Sequence, residues 1–187
     1  MKHWTDKLRK LRACNDAVEW AKDYPSLTAA WKVCERADWM LWLLGRARAG
    51  RKKIVLCACD CARLALPYVL DREARPLKAI EIAEAWVRGE ATIEDVRNAA
   101  DAAADAAAYA AAYAADAAAE AAAYAADAAH AAAYAADAAD EAAAYAADAA
   151  HAAAYAADAA DEAAVRRQCA DIIRKYFPKP PIMEKRT

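Results

Sequence analysis

The sequence predicts an all-α protein in which a small Trp-rich helical domain is followed by one very long alanine-rich helix, with a helical hairpin or bundle as the alternative arrangement. Three observations carry that prediction. No Gly or Pro stands between Glu90 and Phe177, a stretch dominated by alanine, and alanine loses no side-chain entropy on entering a helix. Five of the six Trp lie at 4, 20, 31, 39 and 42, so the bulk needed for a core is concentrated near the amino terminus. Helix start and stop signals recur along the part that precedes the tract. The chain divides accordingly into a helical Trp-rich domain at 1–92, a long repeat helix at 93–177 and a Pro-containing basic tail at 178–187.

In chain order, short helices are expected at about 5–12, 14–23, 27–35 and 37–44, with Pro25 and Gly45 as punctuation. Gly50 lies within a basic loop containing Arg46, Arg48, Arg51, Lys52 and Lys53, read either as a solvated loop or as a patch that meets phosphate or an acidic surface. Ile54 to Leu70 reads as a buried helix with Ile54, Cys57, Ala58, Cys61, Leu64, Ala65 and Tyr68 on one side, which Pro67 kinks or ends. Arg75-Pro76 opens the next helix and Gly89 closes it. Thr92 is the N-cap of the long helix, with Asp95 completing a capping box. Pro178, Pro180 and Pro181 stop that helix, after Val165, Cys169, Ile172, Ile173, Tyr176 and Phe177 restore enough apolar bulk to dock on the Trp-rich core.

The tract contains an internal duplication, since residues 145–165 repeat 124–144 with Val165 as the one change. Its Tyr residues at 113, 124, 134, 145 and 155 recur at alternating gaps of eleven and ten, a heptad-type period that favours a left-handed supercoil. Tyr, Asp and His then share one face, and the other is bare alanine. A continuous helix from Ile93 to Tyr176 would be about 125 Å long. Such a rod requires a partner helix, a second copy of itself, or a fold back onto the amino-terminal region; the absence of any breaker favours the unbroken helix.

Net charge is −2, but it is unevenly distributed: residues 1–100 carry nineteen bases and fourteen acids, 101–162 twelve acids and no Lys or Arg, and 163–187 seven bases and two acids. The longest apolar run, Trp39 to Leu44, is too short to span a bilayer, and no signal peptide is expected from the charged opening residues. The Cys residues, at 14, 34, 57, 59, 61 and 169, are expected as reduced thiols in a cytoplasm. Cys57-Ala-Cys59-Asp-Cys61 is read as small buried thiols and not as a metal site, because on a helix Cys59 faces away from the other two. No metal or cofactor is expected.

Asp127, His130 and Tyr134 are neighbours on one helix face, and Asp148, His151 and Tyr155 repeat them. Catalysis calls for a unique desolvated constellation, whereas these copies stand about 31 Å apart on a rod; the chain is therefore not expected to be an enzyme. A ladder of Tyr and carboxylates suits the binding of a partner protein, with Tyr113, Tyr124, Asp127, Tyr134, Asp137, Tyr145, Asp148, Tyr155 and Asp158 as the candidate contacts. The competing readings are a dimerising coiled coil or spacer, an acidic nucleic-acid mimic, a nucleotide-type ligand site in the Trp-rich core, and an ice-binding helix. The acid density is far below that of duplex DNA, and the tract has no Thr, so mimicry and ice binding rank low. Nucleic acid is not the expected partner.

Cys61-Ala-Arg-Leu-Ala-Leu-Pro-Tyr68, followed by Arg75-Pro-Leu-Lys-Ala-Ile-Glu-Ile-Ala-Glu-Ala-Trp-Val-Arg-Gly89 and Thr92, resembles a family of immunity proteins associated with bacterial polymorphic toxins. The resemblance covers roughly 54–110, and the Trp-rich start and the Cys-Ala-Asp-Ile-Ile-Arg-Lys-Tyr-Phe-Pro segment resemble phage-encoded versions with Ala- and Tyr-rich repeats. It implies an all-helical intracellular protein that binds and neutralises a toxin or host factor without catalysis. No functional residue is carried over from it.

Overall fold

The computed structural model describes residues 3–47, 49–69, 72–112 and 159–183, together with Ala131, Asp148, Ala149 and Ala152. Every regular element among them is helical: α1 Asp6–Lys10, α2 Asn15–Ala21, α3 Leu27–Val33, α4 Ala37–Arg46, α5 Arg51–Arg63, α6 Arg75–Arg88, α7 Ile93–Ala112 and α8 Ala159–Tyr176, with a 3₁₀ turn at Leu66–Tyr68. The turn falls at Pro67, whose ring and missing N–H end α5 short of the expected Leu70.

Local chemistry accounts for most boundaries. The Ser26 hydroxyl accepts from the Ala29 N–H and starts α3. Gly89, at φ 84°, closes α6: its N–H bonds to the Trp86 carbonyl and that of Glu90 to Ala85, the paired bonds of a Schellman motif. Thr92 and Asp95 form the expected capping box, with the Thr92 N–H 2.8 Å from Asp95 Oδ2 and the Asp95 N–H 3.1 Å from Thr92 Oγ1. These bonds, the backbone one foremost, hold the Asp95 carboxyl below its usual pKa.

α5 is the centre of the packing. It lies between α6 and α8; α7 covers α6, and α4 covers α8. Ile54, Val55, Cys57, Ala58, Cys59, Cys61 and Ala62 are all buried, and side chains this small let neighbouring helices approach closely. Arg63 binds Glu84 through two hydrogen bonds at 3.0 and 2.8 Å, joining α5 to α6. On the opposite side the Tyr176 hydroxyl donates to Asp60 at 2.9 Å, joining α5 to α8. The carboxyl-terminal turn docks on the Trp-rich region as expected: Cys169 and Ile173 are fully buried, and the Trp31 indole donates to the Phe177 carbonyl at 3.0 Å.

That docking corrects the expectation of a single rod. On an unbroken helix Val96 and Ile173 would stand about 115 Å apart. Both are fully buried in one hydrophobic cluster, separated by helices packed in sequence at about 8–10 Å per interface. α7 and α8 therefore belong to one body, consistent with the hairpin or bundle alternative, and the stretch joining them, apart from Ala131, Asp148, Ala149 and Ala152, lies outside the described residues. The smooth alanine face needs no second copy over α7, because Ala99, Ala100 and Ala103 are buried in this cluster and α6 covers the helix. Methyl burial against α6, a non-local gain, outweighs the continuity favoured by helix propensity.

Candidate functional site

The Trp-rich end encloses a cavity of about 590 Å³, lined among the described residues chiefly by α1–α4 and by Asp148 of the alanine tract. All five amino-terminal Trp residues contribute to its wall, together with apolar side chains such as Leu8, Met40 and Leu43. The Trp residues differ in role. Trp4 donates to the Tyr24 carbonyl at 2.8 Å and Trp31 to Phe177, so both serve as ties between elements. Trp20, Trp39 and Trp42 are only half-buried, and their indole N–H groups meet no acceptor among the described residues. Trp20 packs between Tyr24 at 4.6 Å and Trp39 at 5.8 Å between ring centres, both tilted.

Charges at the cavity are of two kinds. Arg36 lies 4.4 Å over the Trp39 ring and binds Asp38 at 2.9 and 2.7 Å, so its charge is neutralised in place. Its guanidinium pKa is raised chiefly by that hydrogen-bonded carboxylate. Arg12 also lines the cavity, has a left-handed backbone at φ 65°, and is exposed, with no ion pair or side-chain hydrogen bond among the described residues.

Of the residues expected to form the Tyr and carboxylate ladder, Asp148 alone is described, and it is exposed at the cavity rim. Tyr113, Tyr124, Asp127, Tyr134, Asp137, Tyr145, Tyr155 and Asp158 lie outside the described residues. So do His130 and His151, and with them every member of both Asp-His-Tyr trios except Asp148. Ala131 and Ala149, from the two repeats, are buried in the main cluster.

The basic segment is built differently from the expected loop. Arg46 ends α4, and Arg51, Lys52 and Lys53 form the first turn of α5, where cations oppose the helix dipole. Neighbouring groups offset this. Lys52 donates to the Val87 carbonyl at 2.8 Å near the end of α6, Arg51 lies 4.6 Å over the Trp86 ring, and Lys53 lies 5.9 Å from the centre of Phe177. Arg46 donates to the Leu11 carbonyl. Arg48 lies outside the described residues.

The cysteines of α5 are small buried thiols, as expected, with Cys59 directed to a different neighbour from Cys61. Cys59 is as buried as Cys57 and Cys61, because α5 is covered on two sides; its thiol approaches the Ile80 carbonyl of α6 at 3.9 Å. Cys61 pairs by hydrogen bond with Cys169 of α8, and that contact, with burial, pushes its thiol pKa well up. Burial raises the Cys57 thiol to about 12 and the Cys59 thiol likewise upward. Such thiols are poor nucleophiles and poor metal ligands at neutral pH. Among the described residues no three His, Cys, Asp or Glu side chains converge as a metal site requires, and no helix is long and apolar enough to cross a membrane.

Sequence reasoning anticipated the Trp-rich core but missed Arg12, since nothing local marks an Arg that will take a positive φ. Residues 47–175, from the end of α4 to the last turn of α8, match the model of a family described as Imm-5 like putative immunity protein. No curated protein and no solved structure matches the chain.

Proposed function

The chain belongs to the Imm-5 like putative immunity protein family, and from that premise we propose that it is a non-enzymatic interaction protein that binds and neutralises a toxin or host factor. The binding surface is the acidic face of the alanine tract, with Tyr113, Tyr124, Asp127, Tyr134, Asp137, Tyr145, Asp148, Tyr155 and Asp158 as its contacts. One observation carries this reading. On α7 the alanines face inward and the acids outward: Val96, Ala99, Ala100, Ala103, Ala106 and Ala107 are buried, whereas Glu94, Asp95, Asp101 and Asp105 are exposed. The described repeat residues divide in the same way, with Ala131 and Ala149 buried and Asp148 exposed. A helix that packs through its methyls leaves its carboxylates to meet the bases of a partner. Six cysteines without a disulfide among them suit a reducing compartment, which supports a cytoplasmic setting.

The test is Asn substitution at Asp127, Asp137, Asp148 and Asp158 together in the full chain, which removes charge from the proposed contacts and keeps every alanine. Wild-type and substituted chains are used to capture partners from a bacterial lysate, and the captured protein is then purified and titrated against each at two salt concentrations. Tight binding by the wild type that weakens with salt, and at least tenfold weaker binding by the Asn variant, is expected. Equal affinity for both chains would remove the acidic face from the mechanism.

A further inference from the structure

We propose that the Trp-lined cavity of α1–α4 is a small-molecule site for a planar aromatic ligand bearing one anionic group. Among the described residues the site is built from residues 4–43, ahead of the family-matched stretch at 47–175, together with Asp148, which it shares with the acidic face. Its volume of about 590 Å³ is that of pockets that enclose drug-sized molecules.

The wall supplies the ligand's body. Core packing would bury an indole fully and bond its N–H, as Trp31 is buried and bonded to Phe177. Trp20, Trp39 and Trp42 have neither property: each is partly exposed, Arg36 and Arg46 lie over the Trp39 and Trp42 rings, and among the described residues no acceptor meets their N–H groups. Exposed indole surface of this kind stacks on a planar ring, and the N–H groups, none of them a buried donor without a partner, are open to ligand oxygens as they are to water.

The rim supplies the charge preference. Arg36 is already matched by Asp38, whereas Arg12 is unpaired among the described residues. The left-handed backbone of Arg12 closes α1, its N–H bonding to the Arg9 carbonyl and that of Ala13 to Leu8 as in a Schellman motif, and from that helix end Arg12 lines the cavity. An Arg kept there without an intramolecular partner is suited to a carboxylate or phosphate. Asp148 stands on the same rim and by like-charge repulsion disfavours ligands with several negative charges. A nucleoside monophosphate and an aryl carboxylate share the required chemistry.

The experiment is calorimetric titration of the full chain with adenosine monophosphate, indole-3-acetate, adenosine and inorganic phosphate. One aromatic anion is expected to bind with a Kd of about 100 µM or tighter, which identifies the source. Adenosine and phosphate, each lacking half of the recognition, are expected to bind at least tenfold more weakly. Arg12→Gly is the decisive variant, because glycine relieves the positive φ and preserves folding; it should be as stable as the wild type and bind the aromatic anion at least tenfold more weakly. Asp148→Asn should tighten binding. Absence of binding by both aromatic anions at millimolar concentration, or unchanged affinity in Arg12→Gly, would overturn the proposal.

Discussion

Replacing Arg174 by Met should separate the amino-terminal helices from the body of the protein energetically. Arg174 Nη1 donates to the Trp31 carbonyl at 3.2 Å and the Cys34 carbonyl at 2.7 Å, and lies 3.9 Å from Met40 Sδ. Trp31 is in the last turn of α3 and Cys34 is its C-cap, so a side chain of α8 satisfies carbonyls that α3 cannot satisfy itself. Its charge also opposes the negative end of the α3 dipole. Hydrogen bonds from a charged donor contribute about 1.5–3 kcal/mol, and a carbonyl left unmet in a buried setting costs a comparable amount. The ion pair with Asp171 adds little, because Asp171 is 72% exposed. Met retains the stem and its packing, so the expected loss is about 2–4 kcal/mol. In urea this lowers the unfolding midpoint by about 1–2 M at an m of about 2 kcal/mol/M. Arg174→Lys, with the charge but not the fork, should fall between the two. A midpoint shift below about 0.3 M at unchanged m, followed by far-UV circular dichroism, would show that the contact is geometrically present but contributes no net stability.

Further predictions concern the α5 thiols, the α6 end and the α7 start. Cys57 is fully buried with its thiol raised to about 12, so it binds its proton in the folded state after the unfolded chain has lost it. Stability is thus fully present below the unfolded pKa of 9.0 and falls as pH rises towards about 12, by at most 1.4 kcal/mol per pH unit for each such group. Cys59 and Tyr176 shift in the same direction, and alkaline unfolding followed by ellipticity should steepen with their number; Cys57→Ala should make it shallower. Gly89→Ala should destabilise by about 1 kcal/mol through its positive φ alone, because a Cβ there meets nothing within 4 Å; an unchanged melting temperature would contradict this. Thr92→Ala should cost about 1 kcal/mol and reduce, without abolishing, the pH dependence contributed by Asp95, because alanine keeps the backbone N–H bond to its carboxylate. Because the folded pKa of Asp95 is depressed, that contribution is present above the unfolded value and is lost on acidification.

The cavity was partly legible in the sequence and the outward acids of α7 more fully so, for different reasons. Five Trp residues within the first 42 positions are evidence for a core at any level of analysis. Their division into bonded and unbonded indoles depends on carbonyls as distant as Phe177, which no local pattern encodes. For α7, the spacing of alanine and acid already assigns residues to opposite faces, because side-chain direction on a helix is fixed by its period.

What the sequence determined by itself is the helical class and several helix ends: Ser26, Gly89, Thr92 with Asp95, Pro67, and the prolines after Phe177 act through bonds that reach at most a few residues. What only the tertiary structure decided is the arrangement of those helices. Alanine has the same local free energy in a rod as in a folded-back bundle, so the choice was made by burial of Val96 and its neighbouring methyls against α6 and of Ile173 and Cys169 against α5. The same non-local packing buried Cys59, used the basic segment to stitch helix ends, and gave Arg174 its partners in α3. Those energies depend on residues more than a hundred positions apart, such as Asp60 and Tyr176, and they come into existence only when the chain has closed.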